Sequence, residues 1–420
     1  MNDKRDITLT EYSSIFIGTE NDGKNIAVNK KTFEEIETFV LQNSDHVQYL
    51  KLGQNKRGKF LQAQNYVGII QTKSGRTIEI LPKITRLDED EDIEKSKKIL
   101  LKMLRTLKDS PFKTTKIANL KVEKMTLYEI FIKMFLEELS LLLKKGIKSD
   151  YIKKEDNLKY LKGRLKISDQ IKKNSIHKER FAVEYDEFSP DRIENQIIKT
   201  TLDFLYKKCT TLTNKKRIRE FKFVFEDIKP IYDYNSCFSK IKLGRDMKNY
   251  EQVLKWCKIF LLNNSFSPYK GSEIAFALLF DMNKLFESYI GDYLRKKDEI
   301  ENLKLQDREH HLAYIDRSAR FGLRPDIVIE KENEIIVCDT KWKIMSKEPS
   351  QEDMYQLYAY GTKYEKCKKV YLIYPFVDFS NPLKYDFGIG KSLELEVIYF
   401  NLHENTFYER GIELSQCSKN

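Results

Sequence analysis

Short apolar runs at strand spacing dominate both ends of this chain, and apolar residues at helical spacing dominate its middle. Between residues 7 and 84, strand-like stretches at 14–17, 66–70 and 77–81 surround one helical stretch at 31–41. The pattern then predicts helices over 93–107, 127–143, 196–212 and 250–262, interrupted by a strand-like or looped segment at 163–190. The acidic run Asp88 to Glu94 reads as a solvated linker and as favourable charge at a helix N-terminus. From residue 266 onward the order is a long helix over 274–294, two short strands at 327–330 and 335–338, a helix over 351–364, and strands at 369–374 and 395–400. The expected fold class is therefore α+β multidomain: a β-rich domain over 1–120, a mainly helical domain over 121–265, and an αβββαβ domain over 266–420.

The two strands at 327–330 and 335–338 carry the chemistry. Asp326 opens the first, residues 331–334 form a polar turn, and the second ends at Asp339. Antiparallel pairing returns both carboxylates to the same end of the sheet, and Lys341 shares the face of Asp339 by the two-residue period. Two carboxylates held that close share a proton or bind a cation, and hard oxygen donors favour Mg²⁺. Magnesium uses one or two protein carboxylates, here Asp326 and Asp339, and a backbone carbonyl such as that of Thr340 completes the protein's share. A metal-bound water is then the nucleophile, and Lys341 orients it and offsets charge on a phosphate. Upstream, Glu287 is placed to approach such a metal, although glutamates among core aromatics more often sit on solvated helix faces. Downstream, Asp353, Gln356 and Tyr360 fall at i, i+3 and i+7 on one helix face beside the metal edge.

Charge sharpens the division of labour. Residues 121–265 hold 32 Lys and Arg against 21 Asp and Glu, whereas 266–420 hold 22 against 26, which puts the basic surface outside the carboxylate-bearing domain. A basic middle suits duplex phosphates, and lysine spread over solvated faces explains the same numbers. Six cysteines show neither CxxC spacing nor clustering with histidine, so structural zinc and a disulfide framework are not expected. No apolar run approaches the ~20 residues of a membrane span, and a cytoplasmic protein with no membrane partner is expected. The loop Gly18 to Asn25 nearly spells a phosphate-binding GxxxxGK[ST], but it ends in asparagine before the strand-like Ile26-Ala27-Val28, and Asn21-Asp22-Gly23 reads as a hairpin turn. Any nucleotide-driven motor must then be another chain. The five histidines spell no HExxH or finger pattern; of the adjacent pair His310-His311, one at most would line the cleft.

With these residues in place, 266–420 resembles a PD-(D/E)xK nuclease domain, and Gln356 with Tyr360 resembles the QxxxY helix of its RecB-like branch. Gly68-Ile69-Ile70, the strand Ile78-Glu79-Ile80-Leu81-Pro82-Lys83-Ile84, Leu161-Lys162-Gly163-Arg164-Leu165, Tyr185 to Asp191 with Glu194-Asn195, and Asn283-Lys284-Leu285-Phe286-Glu287 extend the likeness over most of the chain. Together they resemble the McrC family, the nuclease subunit of McrBC-type modification-dependent restriction systems; aspartate instead of glutamate at 339 is a departure the superfamily tolerates. The resemblance implies a Mg²⁺-dependent endonuclease that cleaves double-stranded DNA while docked on a hexameric McrB-like AAA+ GTPase. It implies catalytic roles for Asp326, Asp339 and Lys341 with support from Glu287, Gln356 and Tyr360, and a partner-engaging stalk in the N-terminal part. Lys83 and Arg164 read as exposed cations, able to reach that partner or simply on the surface. Two competing readings are a non-catalytic activator of the GTPase ring and a stand-alone RecB-like nuclease.

Overall fold

A computed structural model of the 420-residue chain describes all residues except 1–5, 43–48, 73–75, 85–89, 109, 114–124, 242–243, 245–246, 263–273, 301, 346, 378–380, 389–392, 410 and 413–420. Residues 1–124 and 268–420 make one compact unit and 125–267 make another. The expected boundaries after residues 120 and 265, and the start of the acidic run at Asp88, lie outside the described residues.

The N-terminal part begins with β1 (Asp6–Thr10), β2 (Ser14–Ile17), β3 (Ile26–Val28), α1 (Lys30–Gln42), β4 (Leu50–Asn55), β5 (Gly58–Ala63), β6 (Tyr66–Thr72), β7 (Thr77–Leu81) and α2 (Asp90–Leu104). One sheet runs β3-β2-β5-β4. The turn expected at Asn21 to Gly23 forms and is closed by an antiparallel bridge between Asp22 and Asn25, but the flanking strands β2 and β3 run parallel and are not the arms of a hairpin. Its loop is closed by its own side chains: Asn25 accepts from the N–H of Ser14 at 2.9 Å and Asn21 from that of Ala27 at 2.9 Å. In the second sheet β1 pairs parallel with β7, and β7 antiparallel with β6. β7 is buried at all five positions, and its one acid, Glu79, is neutralised by Lys97 of α2 at 2.9 Å.

The second unit contains α3 (Leu127–Lys144), β8 (Asp150–Leu158), β9 (Arg164–Leu165), α4 (Ile167–Lys173), β10 (Phe181–Ser189), α5 (Ile193–Lys208), α6 (Leu212–Val224), α7 (Tyr234–Lys240) and α8 (Lys248–Leu262). Its long helices pack on one another, and beside them a small, largely exposed antiparallel sheet, β8-β10-β9, carries α4. The helix expected over 196–212 stops at Lys208 because Glu129, buried on α3, caps a new one. Its carboxylate accepts from the N–H groups of Thr210 at 2.5 Å and Thr211 at 3.1 Å and from Asn214 at 2.7 Å. Burial opposes ionisation, but these donors outweigh it and hold Glu129 below the usual carboxylate range. Glu129→Ala should cost about 3 kcal/mol in urea unfolding, since it strands several buried donors. A depressed carboxylate stabilises the fold above its ordinary value of 4.5, so the gap to wild type should narrow as pH falls below that value. Asn195 explains another sequence landmark: it bonds the carbonyls of Lys148 at 2.9 Å and Pro190 at 2.8 Å and accepts from Tyr250 at 2.9 Å, knitting the start of α5.

The first unit resumes with β11 (Ile274–Asp281) and α9 (Met282–Arg295), so the run 274–294 is not one helix. Its apolar half satisfies strand and buried-helix patterns alike, and pairing with β6 decides for strand. Gly68 permits that pairing, because a Cβ there would lie 2.1 Å from the carbonyl oxygen of Leu278. Asp281 then caps α9 by accepting from the N–H of Asn283 at 2.9 Å. There follow β12 (Asn302–Leu305), β13 (His311–Ile315), β14 (Ser318–Gly322), β15 (Ile327–Glu330), β16 (Ile335–Thr340), α10 (Gln351–Lys363), β17 (Cys367–Pro375), β18 (Leu383–Asp386), β19 (Glu394–Asn401) and β20 (Thr406–Tyr408). The large sheet runs β12-β15-β16-β17-β19-β18, with β20 on β19, and β13-β14 form a separate hairpin. β15 and β16 are antiparallel with Ile327 opposite Cys338, while β16 and β17 are parallel with α10 between them in sequence. Val328, Val337, Leu357, Val370, Leu372 and Val397 pack together between α10 and the sheet.

Candidate active site at the end of the central hairpin

The pairing of Ile327 with Cys338 brings Asp326 and Asp339, one residue beyond each, to the same sheet edge. Asp326 is fixed from the opposite strand: its Oδ2 accepts from both the N–H and the hydroxyl of Thr340 at 2.8 Å. Thr340 thus contributes through its N–H and side chain as well as its position between the acid and the lysine. Lys341 Nζ lies 2.7 Å from Asp339 Oδ2, 2.9 Å from Gln356 Oε1 and 3.8 Å from Asp353 Oδ1. The Gln356 amide donates to Tyr360 Oη at 2.7 Å, and that hydroxyl donates to the Arg324 carbonyl at 3.2 Å. One bonded chain therefore runs from Asp339 through Lys341, Gln356 and Tyr360 to the residue two before Asp326. Spacing on α10 makes it possible, since i and i+4 share a helix face.

One site residue, Gln306, was not legible in the sequence. Gln306, just after β12, donates from one amide group to Glu287 and, at 3.4 Å, to Asp326, which joins α9 to the hairpin. Asp353 also holds Lys343 at 3.0 Å and Tyr374 at 3.4 Å. Asp353 shared the helix face of Gln356 in the sequence, but nothing there marked Gln306.

The carboxylates are electrostatically uncomfortable. Burial, then the charge of Asp326, pushes Asp339 up to about 7, with Lys341 opposing. Burial pushes Glu287 up to about 7 as well, reinforced by Asp326 and, more weakly, Asp339. Asp326 is also raised by burial, despite its bonds from Thr340. Burial alone would lower Lys341, but Asp339 and Asp353 reverse that and keep it an ammonium. The buried Asp339 Oδ2 faces that ammonium at 2.7 Å. Three buried carboxylates pushed upward together, with one ammonium among them, fit a hard divalent cation held by oxygen.

A second acidic cluster lies nearby in sequence. Asp307, Glu309 and His310 place ligand atoms within 4.8 Å of one another. Each already has a protein neighbour: Asp307 accepts from Tyr364 at 2.5 Å, Glu309 pairs with Lys304 at 3.1 Å, and His310 packs edge-on against Tyr364. His310 lines a 730 Å³ cleft with Asn302, Glu330 and Lys366. Among the described residues all five cysteines are free, and no helix is long and apolar enough to cross a membrane.

A separate cleft of 1220 Å³ reaches Glu287 and Gln306. Lys102, Arg105, Lys108 and Lys113 line it together with Arg295, Lys296, Arg324, Glu287 and Gln306, and Ser288 bonds the Thr106 carbonyl across it at 2.9 Å. Basic surface is therefore not confined to the middle of the chain. The cations of this cleft come largely from the end of α2 and the residues after it, far from Glu287 in sequence.

Comparison with known proteins fits this picture. The chain is 24% identical over 271 residues to the Type IV methyl-directed restriction enzyme EcoKMcrBC of Escherichia coli K12, an alignment that spans 59% of this chain and 78% of that protein. Its fold superposes with a TM-score of 0.70 and 20% identity on a chain of the Thermococcus gammatolerans half-complex of McrB AAA+ hexamers with bound McrC, covering 96% of this chain and 97% of that one. The family model described as McrBC 5-methylcytosine restriction system component matches residues 61–375, and the chain belongs to that family.

Proposed function

We propose that this chain is the DNA-cleaving subunit of an McrBC-type restriction system, a Mg²⁺-dependent endodeoxyribonuclease that works docked on an AAA+ GTPase hexamer. The observation that carries the reading is the chain Asp339–Lys341–Gln356–Tyr360 beside Asp326, with both aspartates buried and pushed upward at one sheet edge. The succession α9, β12, β15, β16, α10, β17 supports a PD-(D/E)xK assignment.

Asp326 and Asp339, with the backbone of Thr340, would hold the metal, and Glu287 stands behind them through Gln306. Bound there, Mg²⁺ supplies Lewis-acid polarisation of a phosphate and acidifies a water. The Lys341 ammonium would orient the attacking water and offset charge on the phosphate oxygens. Gln356 keeps the ammonium aimed, and its own orientation is set by Tyr360, whose hydroxyl accepts from the amide and leaves the Gln356 carbonyl to Lys341. Thr340 stops Asp326 from turning away, so both acids stay on the cation side.

The 1220 Å³ cleft suits a DNA backbone: seven lysines and arginines line it against the acids Glu287 and Asp292. Replacing Lys102, Arg105 and Lys108 together by alanine should raise KM for DNA and flatten its salt dependence by about two to three units of slope, at about 0.9 per phosphate contact. Filter binding or cleavage across a salt series measures this; an unchanged slope rules the cleft out as the track.

The relatives support the partner, since the Thermococcus complex unites McrB AAA+ hexamers with McrC. The direct test is reconstitution of this chain with an McrB-like AAA+ GTPase, followed by plasmid cleavage with GTP, with and without Mg²⁺ and with and without cytosine methylation. Cleavage that requires both the partner and the metal is expected. Cutting by the chain alone favours a stand-alone nuclease, and GTPase stimulation with no cutting favours a non-catalytic activator.

A further inference from the structure

The catalytic strand runs out of ladder just before its lysine. β16 ends at Thr340, and residues 341–345 have no regular secondary structure, so sheet pairing does not fix the backbone that carries Lys341 beyond its N–H bond to the Ile373 carbonyl at 2.9 Å. The next residue, Trp342, is 1% exposed, and its indole N–H and its carbonyl are held by residues that follow strands of the N-terminal sheet. Its indole N–H donates to the Glu11 carboxylate at 2.9 and 3.1 Å, and its carbonyl accepts from Lys83 Nζ at 2.7 Å.

Glu11 and Lys83 follow the ends of the parallel neighbours β1 and β7, which is why they emerge together. They are fastened there: the N–H of Glu11 donates to the Leu81 carbonyl at 3.0 Å, and the N–H of Lys83 to Glu11 Oε2 at 3.0 Å. The Lys83 ammonium also stands over the rings of Trp342 and Tyr12, at 5.4 and 5.3 Å. On its other side Trp342 packs against Phe286, at 5.4 Å between ring centroids, and Phe286 precedes Glu287. Lys83, expected as an exposed cation, is instead partly buried and committed to the catalytic loop. Burying an acid and an ammonium where apolar side chains would pack costs stability. What this pair gains is a fixed position for one tryptophan next to the catalytic lysine.

We propose that Glu11 and Lys83 are positioning residues for cleavage: they grip Trp342 at its indole and its carbonyl and so set where Lys341 stands between Asp339 and Gln356. The N-terminal sheet then has a catalytic duty in addition to any partner contact. This rests on the nuclease reading of the Lys341 site. Burial pushes Glu11 up to about 7, against the pull of Lys83, and lowers Lys83, in keeping with a desolvated pair held for its geometry.

The test uses the complex reconstituted with its GTPase and compares Lys83→Met, Lys83→Arg, Trp342→Phe and Lys341→Ala. Misplacing a catalytic group by about an ångström costs up to ~100-fold. Lys83→Met and Trp342→Phe should therefore lower single-turnover kcat roughly 10- to 100-fold, with KM for DNA and the Mg²⁺ midpoint within about twofold. Lys83→Arg, which can still donate to the carbonyl, should recover most of the rate. GTPase stimulation, which reads the fold and the docking, should stay at the wild-type level in all four.

A kcat within twofold of wild type in both Lys83→Met and Trp342→Phe overturns the proposal. So does a loss of cleavage matched by an equal loss of GTPase stimulation in Trp342→Phe, which keeps an aromatic ring in place and decides the matter if Lys83→Met fails to fold. Lys341→Ala separates the two levels. If it cuts normally, the nuclease reading itself fails; if it is dead while the Lys83 and Trp342 variants are normal, only the positioning role fails.

Discussion

Asp339→Asn is expected to abolish DNA cleavage, with a loss of at least about 10³-fold in kcat, and at the same time to make the metal-free protein more stable. The amide keeps the shape of the carboxylate but not its charge, and a magnesium site with only one or two protein carboxylates cannot lose one and remain charged enough to hold the ion. The stability gain follows from the sign of the pKa shift. Burial, then Asp326, raises Asp339 from an ordinary 3.8 to about 7 in the folded chain. Between those values the unfolded chain has released its proton and the folded chain has not, so native stability falls as pH rises through that window and stays low above it. Asparagine has no proton to lose. Thermal melting without metal should therefore show the variant gaining on wild type from pH 5 to pH 8, by an amount on the order of a few kcal/mol at most. Saturating Mg²⁺ should stabilise wild type selectively. A variant that melts below wild type at pH 8 without metal would contradict this electrostatic picture of the site.

Lys341→Met should lower kcat by roughly 10²- to 10³-fold while leaving Mg²⁺ affinity and KM for DNA nearly unchanged. The methionine chain fills the space of the lysine stem but supplies no charge to the phosphate and no donor to Gln356. Arginine should rescue poorly. Nζ is a point donor held within 3 Å of both Asp339 and Gln356, and the broader planar guanidinium cannot take its place without displacing one of them. Single-turnover cleavage over a range of DNA concentrations separates the two parameters. A rise in KM at constant kcat would instead make Lys341 a DNA-binding residue.

The Asp326–Asp339–Lys341 arrangement was legible because it depends on backbone rules alone. A short polar turn forces antiparallel pairing, and the two-residue period does the rest. Gln356 and Tyr360 were legible for the same kind of reason, since helical spacing places them on one face. What could not be read depends on contacts between distant segments. Gln306 lies at the end of a strand with no motif around it, and its meaning comes from Glu287 and Asp326 on two other elements. Lys83 follows a strand and a proline, which looks like an exposed end until Trp342, 259 positions later, is folded against it. The stretch from Ile274 to Asp281 was misread as helix because an unbroken apolar run suits either structure, and only β6 decides. Charge per segment does not reveal the basic cleft, whose cations come from two stretches far apart in sequence.

The central claim is that the cation needed for cleavage sits between Asp326 and Asp339 at the end of the hairpin. Crystals of the chain soaked in Mn²⁺, with anomalous diffraction recorded at the manganese edge, locate that ion directly. One peak within about 2.5 Å of carboxylate oxygens of Asp326 and Asp339, absent in Asp339→Asn, is the expected result. Manganese bound at Asp307, Glu309 and His310, with none at the hairpin, would contradict it.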